Sequence, residues 1–141
     1  MSEGLKMAKK ILLVDDDADL IEQNQAVLEA QGYTVEVAYD SKEGLDAFKS
    51  FRPDVAILDL NMETQDAGFI LCHRIRRLEE GKDVKIFILT SASKDTGYRF
   101  SVNSGEEKEW IKADGYLDKP IKPSDLADFI KLKIFHEKAE H

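Results

Sequence analysis

The sequence has a single cysteine, Cys72, in 141 residues. It can form no internal disulfide, and a reducing cytoplasm is the expected location. No apolar run approaches the roughly 20 residues that a membrane-spanning helix needs. Met1 to Lys10 lacks the apolar core of a signal peptide, so no membrane insertion is expected. An excess of positive charge is missing too. Twenty Lys and Arg against 28 Asp and Glu leave a formal charge of −8. The lysines are scattered among acids and form no basic patch, and the phosphate backbone of a nucleic acid would be repelled. The three histidines, His73, His136 and His141, are too scattered for a metal site. No repeat, low-complexity segment or linker divides the chain.

What remains is 43% hydrophobic and 34% charged, the balance of one soluble domain with enough material for a single core. Strand and helix patterns alternate along it. Lys10 to Val14 reads as a buried strand, and Leu20 to Ala30 as a helix that Gly32 ends. Thr34 to Ala38 is a valine-rich strand. Asp40 and Glu43 form a capping-box pair for a helix carrying Leu45, Ala47 and Phe48, which Pro53 closes. Val55 to Leu60 is a third strand. Phe69, Cys72, Ile75 and Leu78 mark a helix ending near Gly81, with Cys72 as core filler and His73 solvated. Lys85 to Ser91 and Gly115 to Asp118 are strands four and five. Ser124 caps a last helix that buries Leu126, Phe129, Ile130 and Ile134. Five βα units whose strands are apolar on both faces imply an α/β fold, a doubly wound parallel sheet of five strands covered by helices on each side.

In such sheets ligands bind outside the carboxyl ends of the strands. Those ends supply Asp15 and Asp16 from strand one, Asp59 from strand three, Thr90 and Ser91 from strand four, and Lys119 from strand five. Two carboxylates about 4 Å apart repel by roughly 4 kcal/mol at an effective dielectric near 20, so an acidic cluster needs a compensating charge. Oxygen-only ligands suit a hard divalent cation such as Mg2+. A cation, a lysine and a hydroxyl together can neutralise a phosphoryl group, and a carboxylate beside them can act as the nucleophile. Asp17 and Asp19, just behind, read as the start of the first helix, where acids favour the positive end of its dipole.

The segments "LLVDDD", "AILDL", "ILTS" and "GYLDKP" stand in the order of the landmarks of the response-regulator receiver domain. The chain resembles that family, the phosphoacceptor half of two-component signalling, from Lys9 to Lys133. The resemblance implies a flavodoxin-like fold and one receiver domain over residues 9–135; the short tails at 1–8 and 136–141 leave no output domain expected. It implies that Asp59 accepts a phosphoryl group from a histidine kinase or phosphotransfer protein. Asp16 would bind Mg2+ directly and Asp15 through water, with the backbone carbonyl of Asn61 as a further ligand. Lys119 would pair first with Asp59 and then with the phosphoryl oxygens. Thr90 would hydrogen-bond the phosphoryl group, and Tyr116 is similar to the family's switch aromatic. The bond before Pro120 resembles one that is cis in the family. Signalling would then run through contact with a downstream protein, a homodimer being one form of it. No activity is expected beyond self-catalysed phosphoryl uptake and autodephosphorylation.

Two segments depart from the family pattern. In "DLNMETQDAGF", Glu63 takes the place of a usual proline and one extra residue precedes Gly68, which predicts a looser loop around Asn61. From Ser91 to Asp114 the chain is longer than usual. Ser104 and Glu107 read there as a capping box for a helix from about Gly105 to Ala113, which carries Trp110, and Ser93 to Asn103 before it, with Tyr98 and Phe100, reads as an enlarged loop or a short extra helix.

Two other functions compete. A pseudo-receiver would bind partners without phosphorylation. A haloacid-dehalogenase-type phosphatase would use Asp15 as nucleophile and Asp17 as acid/base, although Ala18 and Asp19 replace the glycine and threonine of that signature. A nucleotide- or flavin-binding role needs a first loop rich in glycine, serine or threonine, and here that loop is acidic.

Overall fold

The computed structural model describes residues 9–91 and 112–139. Five strands, β1 (Lys10–Val14), β2 (Thr34–Ala38), β3 (Val55–Asp59), β4 (Lys85–Thr90) and β5 (Gly115–Asp118), form one sheet in the order β2-β1-β3-β4-β5. Every neighbouring pair is parallel. The order reverses direction at β1, so the carboxyl ends of β1 and β3 border the crevice where ligands bind in such sheets.

Alternation along the strands builds two cores. Leu12, Val14, Ala56, Leu58, Ile86 and Ile88 face one side and pack with Phe48, Leu71, Cys72 and Ile75. Ile11, Leu13, Val55, Ile57, Phe87 and Leu89 face the other and pack with Ile21, Leu28, Leu126 and Ile130. Helices α2 (Ser41–Phe51) and α3 (Ala67–Arg77) thus cover one face, and α1 (Ala18–Ala30) and α4 (Pro123–Ala139) the other.

The helix ends follow local chemistry. Asp17 caps α1 by accepting from Leu20 N at 3.2 Å. Gly32, at φ 99, closes α1 by donating its N–H to Glu29 O, while Tyr33 N bonds Leu28 O, the paired bonds of a Schellman turn. Asp40 caps α2 through Glu43 N, but the Glu43 carboxylate reaches one residue past its expected partner, to Tyr39 N.

Several boundaries differ from the sequence expectation. The third helix stops at Arg77, because Leu78 turns extended (φ −81, ψ 147); Glu79–Gly81 forms a separate 3-10 turn. Gly81 sits so tightly on Ile75 O that a Cβ there would lie 1.9 Å from it. The last helix opens at Pro123, with Leu126 N bonded to Lys122 O, so Ser124 lies inside the first turn instead of capping it. Proline suits that first position, where its missing N–H is no loss. The same helix runs on to Ala139, taking in residues expected to be tail; Glu137, Lys138 and Ala139 are good helix formers. Of the helix expected over 105–113, Lys112 and Ala113 are not helical, and Lys112 has φ 68. The rest of it lies outside the described residues, with Ser104, Glu107 and Trp110, as do Tyr98, Phe100 and His141. His73, expected to be solvated, is partly buried.

Candidate functional site

Each site residue stands at a strand terminus because an apolar run ends there. Asp15 follows Val14, the last residue of β1; Asp59 and Thr90 end β3 and β4; Lys119 follows β5. Parallel pairing brings these ends to one edge although Asp15 and Lys119 are 104 residues apart. The Lys119 N–H donates to Thr90 O at 3.0 Å, which sets the lysine beside the end of β4.

The Lys119 ammonium bonds Asp59 Oδ1 at 3.0 Å and Asp15 Oδ2 at 3.2 Å. Asp15 also accepts from Asp17 N at 3.0 Å, which orients its carboxylate across the turn into α1. Asp15, Asp59 and Thr90 are buried, at 4%, 4% and 3% exposure, whereas Asp16 is exposed. One carboxylate oxygen from each of Asp15, Asp16 and Asp59 lies within 4.8 Å of the other two. Among the described residues, three clustered carboxylates thus stand against one ammonium, which bonds two of them.

That deficit is visible in the acidities. Burial, and next the Asp15 carboxylate, push Asp59 up to about 6, against the pull of Lys119. Burial also raises Asp15, opposed by its bond from Asp17 and by Lys119. Burial alone would lower Lys119, but the Asp59 and Asp15 carboxylates together hold it above its ordinary value. A carboxylate cluster short of positive charge, with every candidate ligand an oxygen, fits a hard divalent cation.

Asn61 begins the loop after β3, where its carboxamide donates to Gln65 O. The loop is not loose. Met62 N bonds Thr64 O, Thr64 bonds the Asp66 carboxylate, and Gly68 N returns to Leu60 O. Glu63, in the position where a proline was expected, accepts from both the amide and the hydroxyl of Ser41 at the start of α2. Burial would raise the Glu63 carboxyl, but those bonds outweigh it and leave it lowered. Gly68 is pressed against β3: a Cβ there would lie 2.4 Å from Asp59 O.

Tyr116 lies opposite Ile88 on β5 and meets Phe69 edge-on, ring centroids 6.3 Å apart. Its register puts it on the same sheet face as Thr90, two residues along β4 from Ile88. The bond between Lys119 and Pro120 is cis. Asp17, which a phosphatase would use as acid/base, spends its side chain on capping α1. Cys72 is fully buried, its thiol pushed up to about 12 chiefly by burial, as suits core filler.

Sequence reasoning missed two contacts. Ser41 and Glu63 are 22 residues apart on different elements, and no spacing links them. Arg76 of α3 donates to Gly81 O, Val84 O and Lys112 O and pairs with Asp114 at 2.8 Å. Asp114 in turn accepts from Ile86 N, so this knot pins the entry to β5 at the sheet edge away from the acids.

Comparisons with known proteins agree with this geometry. Residues 11–131 match the response regulator receiver domain. Among curated proteins, the DNA-binding response regulator MtrA of Mycobacterium tuberculosis is 33% identical over 128 residues, 91% of this chain and 51% of its own length. The chain therefore spans about half the length of the curated relatives it matches. Among solved structures, the chemotaxis response regulator CheY4 of Vibrio cholerae superposes with a TM-score of 0.74 at 30% identity, covering 89% of this chain and 98% of that one. The receiver domain of sensor histidine kinase PA1611 from Pseudomonas aeruginosa, solved with a magnesium ion coordinated in its active site cleft, gives 0.71 at 25% identity, covering 89% and 96%. By sequence and by fold, the chain belongs to the receiver domain family of two-component response regulators.

Proposed function

We propose that this chain is a Mg2+-dependent phosphoacceptor switch that takes a phosphoryl group onto Asp59 from a histidine kinase or phosphotransfer protein. The observation that carries the reading is the Lys119 ammonium bridging Asp59 and Asp15 beside a third carboxylate, Asp16. In the transfer a carboxylate oxygen of Asp59 bonds to phosphorus as the P–N bond of the phosphohistidine breaks. The imidazole leaves with that electron pair, and an acyl phosphate remains on Asp59. Lys119, already in contact with Asp59, is within reach of the incoming phosphoryl oxygens, and the Thr90 hydroxyl can donate to one of them. Magnesium, held by Asp16, Asp15, Asp59 and the Asn61 carbonyl, would neutralise charge on the transferring group. The magnesium in the PA1611 receiver domain supports that assignment by likeness.

Phosphorylation adds about −1.5 to −2 charges to the site. Thr90 and Tyr116 share a sheet face and are the route by which that charge would alter the surface offered to a downstream protein. The only chemistry is uptake of the group and its hydrolytic loss. Among the described residues no helix is long and apolar enough to cross a membrane, and the acidic charge disfavours nucleic acid, so a cytoplasmic protein partner is the expected target.

The test is incubation with Mg2+ and acetyl phosphate, followed by mapping of the modified residue. Label on Asp59, lost in Asp59→Asn, is the expected result. Label on Asp15 would indicate a phosphatase, and no Mg2+ binding and no label would indicate a pseudo-receiver; either overturns the proposal.

A further inference from the structure

The loop between β3 and α3 carries the backbone of Asn61, yet most of its hydrogen bonds are internal. Asn61 to Gln65, Met62 to Thr64, and Thr64 to Asp66 give the loop its shape, and none of these bonds reaches α2. Among the described residues, 61–65 is tied to other elements by Ala67 N at the start of α3, which bonds Thr64 O at 3.4 Å, and by the two bonds that Glu63 accepts from Ser41, which are the ones that reach α2. We infer that Glu63 is a positioning residue: seated on the Ser41 amide and hydroxyl, its carboxylate latches the loop to the start of α2 and so holds Asn61 where its carbonyl meets a cation. The inference rests on the proposed Mg2+ chemistry.

The anchor is well chosen. Ser41 is the first residue of α2, so its N–H is one of the donors a helix start leaves unpaired. Asp40 caps the helix through Glu43 N and leaves the Ser41 amide for Glu63. A carboxylate there also favours the positive end of the helix dipole, and bonds to a charged acceptor are stronger than neutral ones. Beneath it α2 is fixed to β1. Gly44 packs so closely that a Cβ would lie 2.8 Å from Leu71 and 3.1 Å from Val14, the residue before Asp15. Through Glu63, the loop following Asp59 is referred to the helix seated on the strand that carries Asp15. A proline would restrict this loop through its own backbone; a carboxylate restricts it from outside.

Ser41 offers a clean test, because proline is favoured at a first helical position. Asp40 before it is already extended (φ −154, ψ 177), as a residue preceding proline prefers. Ser41→Pro therefore deletes both donors while keeping α2, and Glu63→Ala deletes the acceptor. Mg2+ affinity is read by calorimetry without phosphodonor, and stability by urea unfolding in EDTA. Each variant should bind Mg2+ about tenfold more weakly, the low end of the cost of losing an outer support at a metal site. The double variant should be no worse than either single one, and metal-free stability should stay near that of the parent. Parental affinity in both single variants, additive losses, or losses that track lost stability would overturn the latch alone. A parent protein that binds no Mg2+ would overturn the proposed function as well.

Discussion

The Lys119 ammonium stands 3.0 Å from Asp59 Oδ1, an ion pair with the proposed phosphoacceptor, yet Asp59 remains raised to about 6. One lysine divided between Asp59 and Asp15 does not compensate the burial of both. Removing it should therefore lift Asp59 further. In metal-free Lys119→Met, carboxyl NMR should place the Asp59 titration above about 6. A titration that stays put or falls would mean that the lysine does not govern this acid. Acetyl phosphate can still label the variant, but the Tyr116 resonances should no longer respond to the label.

The same shift makes stability depend on pH. Below the ordinary 3.8 of an aspartate, Asp59 is protonated in both folded and unfolded chains and contributes nothing. Between 3.8 and about 6 the folded protein keeps a proton that the unfolded chain has lost, so stability declines as pH rises through that window. Above it the loss is complete, of the order of 3 kcal/mol for two units at about 1.4 kcal/mol each. Asp15, raised in the same sense, adds to the slope. Asp59→Asn should flatten the urea-unfolding profile between pH 4 and 6 in EDTA and be more stable than the parent at pH 7.5. Equal slopes for the two proteins would assign the pH dependence elsewhere.

Asp16 separates metal binding from folding. It is exposed, while the two acids that share the cluster with it are buried. Asp16→Ala should leave urea unfolding in EDTA within about 0.5 kcal/mol of the parent, as surface changes do. Its Mg2+ affinity should drop at least about tenfold, with slower phosphorylation, since a direct ligand is lost. Unchanged affinity by calorimetry would strike Asp16 from the ligand set.

β1, β3 and β4 were legible in the sequence because both faces of each are apolar, which only a doubly covered parallel sheet explains. That rule brought Asp15, Asp59, Thr90 and Lys119 to one edge before any contact was known. Helix ends were harder. Leu78 continues the apolar spacing of α3 but turns extended, since the tight seat of Gly81 on Ile75 O needs a 3-10 turn in between. No spacing links Arg76 with Asp114, and only the folded chain shows them bonded across the sheet edge. Glu63 looked like the loss of a stiff proline. Its compensation lies in Ser41 on another helix, and such pairings depend on tertiary geometry that periodicity does not encode.

Gly68 ties packing directly to reactivity. It occupies the first turn of α3, where alanine would ordinarily improve the helix by about 1 kcal/mol. Here the added methyl would lie 2.4 Å from Asp59 O and 2.8 Å from Leu60 Cα, both backbone atoms that cannot rotate away. Either α3 retreats or the end of β3 shifts, and overpacking of this kind costs about 1–3 kcal/mol. Gly68→Ala should thus lose about 1–2 kcal/mol in urea unfolding despite its better helix propensity. Its acetyl phosphate reaction should slow by more than the stability loss explains, because the displaced backbone carries Asp59 itself. Full stability together with the parental rate would show that α3 moves aside freely and that the glycine is not what holds the phosphoacceptor in place.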